Sequence, residues 1–312
     1  MPANVTDLDV VIVNYRSAAH TARCVEALHR VARSDGVTVN IVVVNNADDA
    51  ASLDQQIAGA GGATVIHNAA NVGFGAACNT GAARGAADVI LFLNPDAEVT
   101  DGCLKTCLAF LRDGRNAAIG IVGPRLTDAD GRAVPSCSRL PTAVDLVWRT
   151  LGLHFVFPAF EVPYLSAESH AHSGEVGQVM GAALFIRRRL FTALAGFDET
   201  YFLYYEDVDL CARAAAVGAR TYYLREAEAR HIGAGSSSQS AGMALALHVV
   251  SRMTYARRTF GVLAQAAVLV AAVLVEFPLR AVRALAGHGR IGAVGTAFRM
   301  VLADAFLGRA PR

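Results

Sequence analysis

DLDVVIVN, residues 7–14, decides the fold. Val10, Val11, Ile12 and Val13 are apolar and β-branched without alternation. Such a run reads as a strand buried on both faces, as in a parallel sheet. Ser17 follows as the expected N-cap of a helix to about Val31. VTVNIVVVN, residues 37–45, is a second buried strand. A helix near 51–60 and a short strand at 63–67 come next. Residues 71–87 are Gly/Ala-rich and helical beyond their glycines. DVILFL, residues 88–93, is a fourth strand, closed by Asn94-Pro95-Asp96. Thr100 or Asp101 is expected to cap a helix to about Leu111. This β-α-β-α order predicts an α/β fold with a mostly parallel central sheet.

After Gly120 the rhythm changes. Residues 122–134 read as strand, Asp/Gly turn and strand; 135–175 are irregular. Residues 178–186 form a strand, 187–195 a helix and 196–199 a turn. A helix then reaches about Val217 and a strand covers 219–224.

The 312 residues suffice for one large domain or two small ones. With 54% apolar and 18% charged residues the chain is not of the disordered class. The net charge is only +1, and no nucleic-acid partner is expected. The charge is unevenly spread. From His248 onward there are nine Arg, no Lys and two acids, a net +7 that leaves −6 for the rest. Such a basic tail suits a surface role. Six cysteines, at 24, 78, 103, 107, 137 and 211, show no metal-binding spacing, which points to a reducing compartment. MPANVTDLDVVIVNY lacks the pattern of a signal peptide.

Ligands of open parallel sheets bind beyond the carboxyl ends of the strands. Three such ends carry polar sets: Asn14-Tyr15-Arg16, Asn45-Asn46 and Asn94-Pro95-Asp96. NVGFGAACNTG, residues 71–81, offers Gly73 and Gly75, but a dinucleotide fingerprint would need its third glycine at Cys78. FLYYEDVDLC, residues 202–211, sets Glu206, Asp207 and Asp209 beside aromatic and apolar residues. The acids alone suit a helix start favoured by the dipole; the aromatic lead-in asks for more. Asp209 precedes Arg213 by four residues and reads as a helix-surface or positioning pair.

VIVNY, VVVNNA, NVGFGAACNTG, LFLNPDAEV, MGAALFIRRRLFTALAGFDETYFLYYEDVDLCARA and HIGAGSS follow one another in this chain. In that order they resemble family 2 glycosyltransferases of the GT-A fold, nearest the bacterial rhamnosyltransferase-like branch, over about residues 7–240. The resemblance implies transfer of a sugar from a nucleotide-diphosphate sugar with inversion, assisted by Mg²⁺ or Mn²⁺. The leaving diphosphate develops charge that a hard cation stabilises. The family's Asp-X-Asp motif falls on Asn94-Pro95-Asp96, keeping only the last carboxylate. The resemblance makes Asp96 and His231 the metal residues, with Gly233–Ser236 as a lid. It places Asn14, Tyr15, Arg16, Asn45, Asn46, Asn71, Gly73, Asn79, Asn94 and Asp96 on the donor. Asn45 stands where the family usually has an Asp. Asp207 is the expected general base and Glu206 the alternative, since adjacent helix positions splay about 100° apart. Gly196, Phe197, Asp198, Glu199, Tyr204 and Tyr205 would shape the acceptor side.

GVLAQAAVLVAAVLVEFPL, residues 261–279, has its clean apolar core at 266–275. That is short of the roughly 20 residues a spanning helix needs. Arg257, Arg258, Arg280 and Arg283 flank it. A helix lying in or against a membrane face is expected, with a buried helix or an oligomer contact as the other reading. A catalytic domain over 1–240 and a helical extension over 241–312 follow. The expected enzyme sits on the cytoplasmic face of the inner membrane, as a peripheral or a monotopic protein. It would move a sugar, L-rhamnose from dTDP-rhamnose or a UDP-sugar's hexose, to a lipid-linked or envelope polysaccharide acceptor. A nucleotidyltransferase would need a basic Gly-rich loop that VNYRSAAH lacks. An inactive scaffold of a polysaccharide assembly is the other alternative.

Overall fold

A computed structural model describes residues 6–151, 169–231, 241–288 and 290–307. The first elements are β1 (Leu8–Asn14), α1 (Ala18–Asp35), β2 (Val39–Asn45), α2 (Ala50–Gly59), β3 (Thr64–His67), α3 (Phe74–Ala82) and β4 (Val89–Leu93). Next come β5 (Ala97–Val99), α4 (Cys103–Arg112), β6 (Ile119–Thr127), β7 (Cys137–Ser138), α5 (Ala143–Thr150), β8 (Gly174–Val176) and β9 (Gln178–Val179). The rest are β10 (Ala183–Arg187), α6 (Arg188–Ala193), α7 (Glu206–Ala216), β11 (Arg220–His231), α8 (Ala241–Phe260), α9 (Val262–Ala271), α10 (Phe277–Leu285) and α11 (Ile291–Leu307).

The chain divides into two compact units. The first comprises Met1–Arg139, Tyr164–Asp198 and Asp207–Ser236. Its sheet runs β3-β2-β1-β4-β10-β6-β11-β5, with β8 beside β11. β3, β2, β1 and β4 are parallel, and β6 and β11 are parallel. This is the expected mostly parallel α/β sheet. The sequence did not reveal that β10 inserts antiparallel between β4 and β6.

Alternation along β1 sorts its residues by face. Leu8, Val10 and Ile12 join the core that α1 and α4 cover through Cys24, Leu28, Leu104 and Leu108. Val11 and Val44 face α3, which comes so close that a Cβ on Gly81 would lie 2.4 Å from Val11 Cγ1. Asp9 is buried within β1, accepting from Asn40 Nδ2 (2.7 Å), Ala87 N (2.8 Å) and Arg188 Nη2 (2.6 Å). Arg188 also donates to the Ala82 and Ala87 carbonyls, which ties α3 to the sheet.

Several local expectations give way to tertiary partners. Ser17 holds the N-cap position of α1, but its hydroxyl donates to Asn14 instead of capping the helix. Neither Thr100 nor Asp101 caps α4. Gly102 stands there with φ 85°, and Asp35 from the end of α1 accepts from Gly102 N (2.7 Å) and Lys105 N (3.0 Å). The expected strand over 178–186 is broken into β9 and β10 at Met180-Gly181-Ala182.

The second unit comprises Leu140–Pro163, Glu199–Glu206 and Ser237–Arg312. Its described elements are α5 and α8–α11. α9 and α10 are joined by a π-helical stretch, Ala272–Glu276, into one helix over Val262–Leu285. By length and composition alone this helix is long and apolar enough to cross a membrane. Leu263, Val270, Leu274, Leu279, Val282 and Leu285 are exposed along it. The extra residue of the π turn keeps this row on one side and turns Glu276 inward. Glu276 there accepts from Arg252 and from Arg280 (2.8 Å).

Candidate active site

In-register pairing of β1 with β2 sets Asn14 beside Asn45. Asn14 Nδ2 donates to Asn45 Oδ1 at 2.8 Å, and Asn14 Oδ1 accepts from Thr21 (2.9 Å) and Ser17 (3.2 Å). Asn45 Oδ1 also accepts from Ala47 N (3.0 Å), and Asn45 Nδ2 meets His67 Nδ1 (3.2 Å). Both asparagines are fully buried. Their amides are therefore committed to building the ends of the strands. A carboxylate stands close by: Asp49 Oδ1 lies 3.3 Å from Asn14 Nδ2. Arg16 is left-handed at φ 53°, a rare conformation for a residue with a side chain. Its guanidinium stacks 5.4 Å from the Tyr15 ring centroid and lies 3.9 Å from Asp48.

The glycine segment is held from β2. Asn46 Nδ2 donates to Gly73 O (3.0 Å), and Asn46 Oδ1 accepts from Asn68 Nδ2 (2.7 Å). Asn71 Oδ1 accepts from Gly73 N (3.0 Å), a local turn that needs Gly73 at φ 91°. Asn79 spends both ends of its amide on Phe197, donating to its O (2.9 Å) and accepting from its N (2.8 Å). It thereby fixes the Gly196-Phe197-Asp198 turn. A Cβ on Gly196 would meet Asn79 Oδ1 at 2.5 Å.

β5 and β11 assemble the next group. His231 pairs with Ala97, which brings it to the Asp96 it is far from in sequence. His231 Nε2 and Asp96 Oδ1 are 3.5 Å apart, both largely buried. Burial pushes the Asp96 carboxyl up. The hydrogen bond and charge of His231, with the charge of His20, outweigh it and hold Asp96 below the usual carboxylate range. Among the described residues no three His, Cys, Asp or Glu side chains gather into a metal cluster. A carboxylate oxygen and an imidazole nitrogen are donors of the kinds a divalent cation accepts, and this pair would supply two of its ligands if one were bound here. Phosphate oxygens and water would fill the others. Gly233–Ser236, expected as a lid, lie outside the described residues.

The break between β9 and β10 positions the base candidate. Asn94 N donates to Ala182 O at 2.9 Å, and the preceding Gly181 N donates to Asp207 Oδ2 at 2.8 Å. One dipeptide thus links the Asn94-Pro95-Asp96 turn to Asp207. Val208 N donates to Asp207 Oδ1 (2.8 Å). Burial pushes the Asp207 pKa up, and the hydrogen bonds from Gly181 and Val208 only partly offset it. Asp207 is nevertheless only partly buried as a residue. A carboxylate with a raised pKa can take a proton near neutral pH. Asp209 is buried and paired with Arg213 at 2.6 Å, as a positioning pair would be.

Glu199, Tyr204, Tyr205 and Glu206 belong to the second unit. Glu206 is buried. Tyr204 and Tyr205 are both left-handed, at φ 71° and 66°. For bulky residues that is strain which packing must hold. Their rings lie 5.5 and 5.6 Å from His248, and Ser251 Oγ donates to Leu203 O (2.7 Å).

Sequence reasoning gave no role to Gly181, Asp49, Asn68, His67 or His20. Gly181 had a usable signal, since a glycine inside a strand pattern marks a bulge or close approach.

The family model described as glycosyltransferase like family 2 matches residues 6–248. An N-acetylglucosaminyl-diphospho-decaprenol L-rhamnosyltransferase of Mycobacterium tuberculosis (strain ATCC 25618 / H37Rv) is 27% identical over 258 residues, 77% of this chain and 81% of that protein. The rhamnosyltransferase WbbL of Escherichia coli (strain K12) is 28% identical over 172 residues, 55% of this chain and 62% of that protein. Among solved structures, a mannosyltransferase from Pyrobaculum calidifontis in complex with GDP-Man and Mn²⁺ superimposes with a TM-score of 0.55. It is 15% identical, with 97% of this chain and 89% of that one covered, a likeness of fold.

Proposed function

The chain belongs to the glycosyltransferase-like family 2 and is a nucleotide-sugar glycosyltransferase, and from that premise we propose that it moves L-rhamnose from dTDP-rhamnose to a lipid-linked envelope glycan. The observation that carries the reading is the Gly181-Ala182 dipeptide. It holds Asp207 beside the Asn94-Pro95-Asp96 turn, where Asp96 meets His231.

In this reading the Asp207 carboxylate accepts the proton of the acceptor hydroxyl. The freed oxygen attacks the anomeric carbon from the face opposite the diphosphate. The new C–O bond forms as the bond to the phosphate oxygen breaks, which inverts the centre. Asp207 is preferred as base because it is only partly buried, whereas Glu206 is buried. Asp96 and His231 would hold the divalent cation. When bound, that ion neutralises charge on the leaving diphosphate. Asn14 and Asn45 shape the floor of the nucleotide site, and Tyr15 and Arg16 stand at its mouth. Rhamnose is favoured by the rhamnosyltransferases among the relatives.

The exposed apolar row of the second unit, flanked by Arg257, Arg258, Arg280 and Arg283, supports residence on the cytoplasmic face of the inner membrane. The test is transfer of radiolabelled rhamnose to a prenyl-diphosphate-linked sugar. The wild-type chain turns over and Asp207→Asn does not, while both bind the donor. Equal turnover by Asp207→Asn would remove the base assignment.

A further inference from the structure

Asn79, expected on the donor, is committed elsewhere in the first unit. Its Nδ2 donates to Phe197 O (2.9 Å) and its Oδ1 accepts from Phe197 N (2.8 Å). One side-chain amide thus satisfies both backbone groups of a single residue. Phe197 is 2% exposed, and three elements meet on its ring. Its centroid lies 6.3 Å from that of Phe74 at the start of α3, 4.9 Å from Phe92 on β4 and 5.7 Å from Phe191 on α6. β4 runs directly into the Asn94-Pro95-Asp96 turn. α3 follows the Gly73 segment and lies so close that a Cβ on Gly75 would stand 3.1 Å from Phe197 Cβ.

The same stretch of chain is tied to α7, whose first turn carries Asp207. Arg213 Nη1 donates to Leu194 O (2.8 Å) while its Nε donates to Asp209 Oδ2 (2.6 Å). Leu194 closes α6, and Ala195 and Gly196 bend the chain from it to Phe197 with φ 57° and 77°. A left-handed alanine is rare and persists only where its surroundings hold it. Here Arg213 fixes the residue before Ala195, and Asn79 fixes the residue two after it. A misplacement of about 1 Å, even from a change far from the chemistry, can cost roughly 10²-fold in rate. Ties of this kind therefore bear on turnover without touching a substrate.

We propose that Asn79 and Arg213 are positioning residues of the transfer. Acting through Leu194–Phe197, they hold the helix of Asp207 in register with the Gly73 segment and with the strand that ends in the Asp96 turn. Asn79 then binds no donor atom itself. The proposal rests on the reading of Asp207 as base and names what holds that base in place.

Asn79→Ala removes both bonds to Phe197. Arg213→Lys keeps the charge beside Asp209 but loses the planar fork that also reaches Leu194. Asn79→Asp is the milder change: it keeps the shape and the bond from Phe197 N and loses only the donated one. These variants, the double variant Asn79→Ala/Arg213→Lys and Asp207→Asn are assayed as full-length chains, each below its own melting temperature. Rhamnose transfer is followed at saturating donor and acceptor, and dTDP-rhamnose affinity is measured by calorimetry. The expected kcat falls about 10–100-fold in Asn79→Ala and in Arg213→Lys, while donor affinity stays within about twofold of wild type. Asn79→Asp falls less. The double variant turns over about as fast as the slower single one, because both act through one segment. Weaker donor binding by Asn79→Ala would put its amide on the donor and overturn the proposal. So would an unchanged kcat in either single variant, or a double variant whose loss is the product of the two. Wild-type turnover by Asp207→Asn would remove the base reading instead, so the two failures are distinguishable.

Discussion

As the proposed base, Asp207 would oppose stability to activity in a single side chain. Its pKa is raised by burial, so the folded protein holds that proton more tightly than the unfolded chain does. Ionising it therefore costs stability as pH climbs from the ordinary carboxylate range through the raised value. Asp207→Asn should melt above wild type at pH 7, with the gap closing below about pH 4; calorimetric melts across pH check it. The same substitution should lower turnover about 10²–10⁴-fold. The wild-type kcat/KM should rise with pH along a limb lying above the usual Asp range, and a pH–rate profile measures it. Asp96, Asp207 and His231 were singled out in the sequence because each sits in a motif that has a chemical reason, and the structure sets Asp96 beside His231. Asp49 and His67 were not. Only the parallel register of β1, β2 and β3 brings them to Asn14 and Asn45.

Elements hold these residues through close packing and buried charge. A Cβ at Gly81 would strike Val11 and Val44, both on central strands that cannot yield. Gly81→Ala should cost about 1–3 kcal/mol in denaturant unfolding. Arg188→Met leaves Asp9 buried without its ion partner and should cost about 3–5 kcal/mol in the same assay. The buried strands were plain from their β-branched runs, since burial on both faces needs no distant information. The insertion of β10 beside β4 was hidden, because antiparallel pairing across so long a separation leaves no local pattern. The cap of α4 was hidden for the same reason: Asp35, which supplies it, lies 67 residues before Gly102. Thr100 carried the right chemistry for a cap, but its hydroxyl is taken by Glu228 O at 2.8 Å.

The whole molecule joins a nucleotide-sugar glycosyltransferase sheet to a helical unit with an exposed apolar row. The basic tail and its apolar run were legible from composition, whereas the inward turn of Glu276 needed the π-helical geometry. Replacing Leu263, Leu274 and Leu285 together by Gln should lower partition onto phosphatidylglycerol vesicles roughly tenfold or more, as burial of apolar area drives such binding. Flotation of wild type and variant checks it, and equal partition would remove the membrane reading. The most direct test of the central claim is calorimetric binding of dTDP-rhamnose, with Mg²⁺ and with EDTA, to wild type and Asp96→Ala. The account predicts binding by wild type that needs the cation and is lost in Asp96→Ala. Binding that is unchanged by EDTA and by Asp96→Ala would contradict it.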